Sequence, residues 1–122
     1  MSDAITALTN KRVLIVGLGK TGLSCSRFLH KHGVEVAVTD SRDNPPGLEL
    51  LQQELPGIAV FVGSFNVEVF ERADVLIVSP GVSVNELQIQ AAASRGAEII
   101  GDIELFARLA EAPIIAITGS NG

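Results

Sequence analysis

Tryptophan and tyrosine are absent from this sequence, and phenylalanine supplies only five rings. The core must therefore be aliphatic, built from Val, Ile, Leu and Ala, a composition that suits parallel strands buried on both faces. A single cysteine, Cys25, excludes an intrachain disulfide and any metal site made of cysteines alone. It falls in a helical pattern with Phe28, Leu29 and His32 and reads as a small packed side chain. Lys and Arg form no cluster and the net charge is -5, which argues against an electrostatic nucleic-acid surface. A bound anion has to be held by local backbone dipoles instead. No apolar run approaches the length that spans a bilayer, and the opening MSDAITALTNKR lacks the sustained apolar stretch of a signal peptide. The expectation is a soluble protein of the reducing cytoplasm, with neither nucleic acid nor membrane as partner.

What the sequence does have is alternation. Its 122 residues are 47% hydrophobic and 19% charged, and a chain of that size buries roughly two-thirds of its unfolded surface. Val13–Val16 reads as a strand, Leu23–His32 as a helix closed by Gly33, and Val34–Thr39 as a second strand. The loop from Asp40 through Pro45, Pro46 and Gly47 resists helix. Leu48, Leu51 and Leu55 then share one helical face until Pro56-Gly57. Ile58–Val62 is predicted as the third strand, Asn66–Arg72 as a short helix, and Asp74–Val78 as the fourth strand. Ser83 with Glu86 has the spacing of a capping box, opening a helix that runs to about Arg95 and ends at Gly96. Glu98–Ile100 is the fifth strand. A further helix follows Gly101-Asp102, with Ile103, Phe106, Ala107 and Ala110 on one stripe, and Ile114–Ile117 is a sixth strand. Short connections between alternating strands and helices point to an α/β fold with a parallel sheet and right-handed crossovers. The one seam lies near Gly101.

Gly17-Leu18-Gly19-Lys20-Thr21-Gly22 is a G-x-G-x-x-G between a predicted strand and a predicted helix. The first glycine permits the tight turn, the second lets a phosphate approach the backbone, and the third lets helix and strand pack closely. Helix N-terminal amides then face the anion. Asp40 closes the second strand, where a carboxylate can reach a ribose hydroxyl. Lys20 adds a positive charge near such a phosphate or is a solvated turn lysine, and Thr21 offers a hydroxyl and an amide. Arg42 can serve a ribose phosphate, a base edge or solvent. Ser79-Pro80-Gly81 ends the fourth strand on the same side of the sheet, so the three loops should converge on one crevice. A nucleotide diphosphate is the ligand class these residues fit, and the pattern leaves its identity open.

The closing strand leads into Thr118-Gly119-Ser120-Asn121-Gly122, which matches a phosphate-binding P-loop only loosely and in part. Taken together, GLGKTG at Gly17–Gly22, TDSR at Thr39–Arg42, SPG at Ser79–Gly81, GDIELF at Gly101–Phe106 and AITGSNG at Ala116–Gly122 give the chain a resemblance to the Mur ligases of peptidoglycan synthesis. The resemblance covers essentially the whole sequence. GDIELF followed at that interval by TGSNG is its most specific part, since neither belongs to the dehydrogenase pattern.

That resemblance implies an intact enzyme of three domains, in which ATP and magnesium activate the carboxylate of UDP-N-acetylmuramoyl-L-alanine as an acyl phosphate and the amine of D-glutamate attacks it. Residues 1–101 would be a Rossmann-like five-stranded domain that binds the UDP-substrate, and 102–122 a helix-strand start of a following P-loop ATPase domain. By motif, Leu18, Gly19, Lys20 and Thr21 would meet the diphosphate. Asp40, Ser41 and Arg42 would frame uracil and ribose, with Ser79, Pro80 and Gly81 closing the pocket. Gly119, Ser120, Asn121 and Gly122 would be the opening half of the ATP loop. The lysine and Ser/Thr that follow such a loop, the metal-binding acids and the catalytic residues are not in this sequence, so the fragment alone is expected to be inactive and to hold no cofactor productively. Its apolar stripe and Ile114–Ile117 would then need a substitute partner, from the first domain's surface or another molecule. Two other readings stand beside this one: an NAD-dependent oxidoreductase domain, which shares G-x-G-x-x-G and the acid but lacks the second glycine turn, and a non-catalytic nucleotide-sensing module.

Overall fold

Continuous β-branched and leucine runs that have no polar alternation must be covered on both sides, and that requirement sets the architecture. The computed structural model describes residues 7–83, 85–101 and 105. Strands β1 (Arg12–Val16), β2 (Glu35–Asp40), β3 (Ala59–Val62), β4 (Val75–Val78) and β5 (Glu98–Gly101) alternate with helices α1 (Lys20–Lys31), α2 (Leu48–Glu54), α3 (Val67–Glu71) and α4 (Leu87–Ser94). The five strands form one parallel sheet in the order β3-β2-β1-β4-β5. Ile15, at its centre, is in register with Val38 on one side and Ile77 on the other.

The pleat divides the core in two. On one face Val13, Ile15, Val36, Val38, Val75 and Ile77 pack with Leu23 and Leu29 of α1 and Leu51 of α2. On the other, Leu14, Val16, Leu76 and Val78 meet Phe70 of α3 and Ile89 and Ala92 of α4. Cys25 is buried on the first face, as its helical spacing predicts. Arg27 reaches across that layer to Glu54, Nε to Oε1 at 2.6 Å and Nη2 to Oε2 at 2.9 Å, joining α1 to α2 at the surface. The strand order follows from right-handed crossovers that run first to one side of β1 and then to the other. The turn after β1 and the loop after β4 therefore leave the sheet side by side, at the point where the winding reverses.

Two boundaries differ from the sequence expectation. α1 begins at Lys20, directly on the glycine turn, rather than at Leu23. α4 begins at Leu87, because Ser83 closes a turn ahead of the helix: its hydroxyl accepts the Asn85 amide at 3.1 Å and its carbonyl accepts the Glu86 amide at 3.2 Å. Glu86 is the N-cap residue and contributes no side-chain cap, so the capping box is not formed. The expected sixth strand, the partial ATP loop Gly119–Gly122 and the stripe of Ile103, Phe106, Ala107 and Ala110 lie outside the described residues. Leu105 is described; it is helical and buried in the first-face core.

Candidate functional site

The glycine turn is where backbone freedom and close packing are both needed. Gly17 has φ +101, a left-handed conformation that side-chain-bearing residues avoid, and a Cβ there would sit 3.0 Å from both Ser79 Cβ and Val82 Cγ2. Its amide donates to the Thr39 carbonyl at 2.8 Å and its own carbonyl accepts the Ser79 hydroxyl at 3.1 Å, so the turn is tied to β2 and to the loop after β4. A Cβ on Gly22 would overlap the Gly17 carbonyl oxygen, which is how α1 packs so tightly on the turn. Gly19 differs from both, since a Cβ there meets nothing within 4 Å. It is the N-cap of α1 and provides no side-chain cap, and among the described residues no capping side chain takes the first-turn amides, which have no intrahelical acceptor of their own.

Asp40 ends β2 with its side chain 4% exposed. Its Oδ2 accepts the Leu18 amide at 2.8 Å and Arg42 Nη2 at 2.7 Å, and its Oδ1 accepts the Arg42 amide at 2.8 Å and Nε at 2.9 Å. Burial acts to raise this carboxyl, but the Arg42 side chain and the amides of Leu18 and Arg42 outweigh it and hold Asp40 below the ordinary carboxylate value. Asp40, expected to frame uracil and ribose, lines the cleft at these strand ends with its carboxylate held by four internal donors. Leu18, expected to meet the diphosphate through its backbone, stands behind the residues that line that cleft. Its amide is bound to Asp40, its carbonyl accepts the Gly47 amide at 3.0 Å, and its side chain is fully buried, so it supports the turn and offers no free donor.

The remaining predicted residues converge. A cleft of about 400 Å³ opens at the carboxyl ends of β1, β2 and β4, lined by Gly17, Gly19, Lys20 and Thr21, by Asp40, Ser41 and Arg42, and by Ser79, Pro80, Gly81 and Val82. Arg42 keeps a 56% exposed side chain although Nε and Nη2 are held by Asp40. Ser79 directs its hydroxyl to Gly17 and so braces the wall. Sequence reasoning did not single out Val82 or Gly47. Val82 carries no motif signal. Gly47 was legible only as the end of a helix-resistant Pro-Pro-Gly loop.

Fold and cleft together define a Rossmann-like α/β domain with its candidate site at the crevice where the strand order reverses. The solved structure of Escherichia coli tRNA N6-threonylcarbamoyladenosine dehydratase is similar at a TM-score of 0.52 and 16% identity, over 82% of this chain and 54% of that one, a likeness of fold alone. Residues 11–101 match the family model for the Mur ligase MurD-like N-terminal domain, and the chain belongs to that family. Curated relatives named UDP-N-acetylmuramoylalanine--D-glutamate ligase are 56% identical in Marinobacter nauticus and 50% in Methylobacillus flagellatus, each over 94% of this chain and 26% of the relative. The relative of the same name from Pseudomonas fluorescens is 54% identical over 88% of this chain and 24% of its own. The chain thus spans about a quarter of the length of the relatives it matches.

Proposed function

We propose that this chain is the N-terminal, UDP-substrate-binding domain of an ATP-dependent cytoplasmic ligase that adds D-glutamate to UDP-N-acetylmuramoyl-L-alanine in peptidoglycan synthesis. The observation that carries the reading is the pairing of an uncapped helix start at Gly19 with the loop bearing Ser41 and Arg42, in one cleft of a MurD-like domain. The amides at Gly19, Lys20 and Thr21 would take the diphosphate, where the helix dipole favours negative charge despite the net charge of -5. Ser41 and Arg42 would frame the uridine, and Pro80 and Gly81 would cover it. Asp40 supports this reading by holding the Leu18 amide of the glycine turn and the Arg42 side chain at once, so that the phosphate end and the uridine end of the cleft are fixed together. In the intact enzyme ATP and magnesium would activate the substrate carboxylate as an acyl phosphate. The described residues bind and orient, and Gly119–Gly122, proposed as the first part of the ATP loop, lie outside them.

Calorimetric titration of the chain with UDP and with NADH tests the proposal. UDP is expected to bind and NADH is not; NADH binding without UDP binding would overturn it. Gly19→Val locates the diphosphate. The open space at Gly19 lets the variant fold while its side chain enters the cleft, so UDP affinity should fall by about ten-fold or more, roughly one lost charge-assisted contact. Unchanged affinity would move the phosphates away from the turn.

A further inference from the structure

The loop between β2 and α2 touches the glycine turn at both of its ends. At its start Asp40 takes the Leu18 amide at 2.8 Å, and at its finish Gly47 gives its amide to the Leu18 carbonyl at 3.0 Å. Residue 18 is therefore held through its donor, its acceptor and a fully buried side chain. Gly47 has φ -90 and ψ 0, a negative-φ conformation that other residues also adopt, so backbone conformation does not single out glycine there. Close approach is the constraint that a side chain would meet. A Cβ would lie 3.2 Å from the Leu18 carbonyl oxygen and 3.3 Å from that of Gly19, tighter than ordinary contact. The same loop carries Ser41 and Arg42, and the carboxylate that grips Leu18 also fixes the Arg42 guanidinium. From the far side the Gly63 amide donates to the carbonyls of Asp40 at 3.2 Å and Arg42 at 3.1 Å.

We infer that the 40–47 loop is a two-point clamp on Leu18 that makes the two ends of the cleft one positioned unit, with Asp40 acting from the cleft wall and Gly47 from behind it, both as positioning residues through residue 18. Neither end can move without carrying the amides of Gly19, Lys20 and Thr21 and the Arg42 side chain with it. A ligand that bridges the ends, a nucleoside diphosphate, profits from that fixed spacing, while one that occupies a single end does not. The affinity consequence rests on the proposed uridine ligand; the mechanical coupling does not.

Two readouts keep these apart. With UDP as the probe, Asp40→Asn and Gly47→Ala should each raise Kd by about ten-fold, the cost of one weakened charge-assisted or positional contact. Inorganic pyrophosphate binding should change less. The double variant should lose little more than the worse single variant, because both act on residue 18. Additive losses, or unchanged UDP affinity in both variants, would overturn the inference. In the ligand-free protein, amide resonances in Gly47→Ala should shift together at residues 18–21 and at Arg42. Because Gly47 touches Leu18 and Gly19 directly, the deciding resonance is that of Arg42: shifts at 18–20 that leave Arg42 unmoved would sink the clamp whether or not UDP binds, and this variant keeps the test open if Asp40→Asn fails to fold. Absence of UDP binding by the parent chain, with the coupled shifts present, would remove the uridine reading and leave the clamp standing.

Discussion

Gly22 and Gly19 belong to one motif and answer to opposite demands. A methyl group on Gly22 overlaps the Gly17 carbonyl oxygen, whereas one on Gly19 enters empty space. Gly22→Ala should therefore destabilise the domain by about 1–3 kcal/mol or more, the range for overpacking a close contact. Gly19→Ala should cost about 1 kcal/mol or less, the scale of an altered N-cap. Urea unfolding midpoints of the two variants would show the order, and a reversed order would refute the packing argument. Asp40 gives a pH prediction. Its folded-state carboxyl lies below the unfolded value of about 3.9, so its stabilisation is complete above that pH and is lost as the pH falls through the lower folded value. Asp40→Asn should flatten that acid limb of the stability-pH curve. The presence of an acid at the end of β2 was legible in the sequence; its partners were not, because Leu18 lies 22 residues away and no local spacing records the bond.

Among the elements, α3 depends most on tertiary contact. Five residues cannot hold a helix in isolation. Its start is fixed by the Asn66 side chain, which accepts the Glu68 amide at 2.8 Å, and its body by Phe70, 1% exposed and set edge-on to Phe65 at 5.5 Å. Phe70→Ala should cost about 3–5 kcal/mol, read from denaturant unfolding. A loss below about 1 kcal/mol would mean that α3 is not anchored by this ring. The same scale shows how far pattern reading reaches. Strand-helix alternation was legible because each apolar run is bounded by Gly, Pro or Asp. The rank of the strands was not: β1 and β4 are buried at nearly every position, while β3 leaves Phe61 39% and Val62 37% exposed at the sheet edge. A run of β-branched and aromatic residues looks alike in both places. Likewise Ser83 and Glu86 have capping-box spacing, yet the chain spends that spacing on a turn.

For the molecule as a whole, Leu105 marks how far the first core extends. The family match ends at residue 101, but Leu105 is 1% exposed and packs with the first-face core. We propose that the boundary of this domain falls after Leu105, whose buried side chain belongs to the core of the sheet. Leu105→Ala should then lower global stability by about 2–5 kcal/mol, the cost of emptying a buried leucine site. A thermal transition unmoved by the substitution would return the boundary to Gly101. No helix among the described residues is long and apolar enough to cross a membrane.

By itself the sequence determined the strand-helix alternation, the parallel class of the sheet and the convergence of three loops at one set of strand ends, because apolar runs, glycine turns and chain direction are local properties. Only the tertiary structure decided that Asp40 and Leu18 brace each other, that Gly47 seats the loop, that β3 is an edge and that Leu105 belongs to the first core. Each of these is a contact between residues far apart in the chain, settled by which surfaces the crossovers bring together and by which donors and acceptors then find one another away from water.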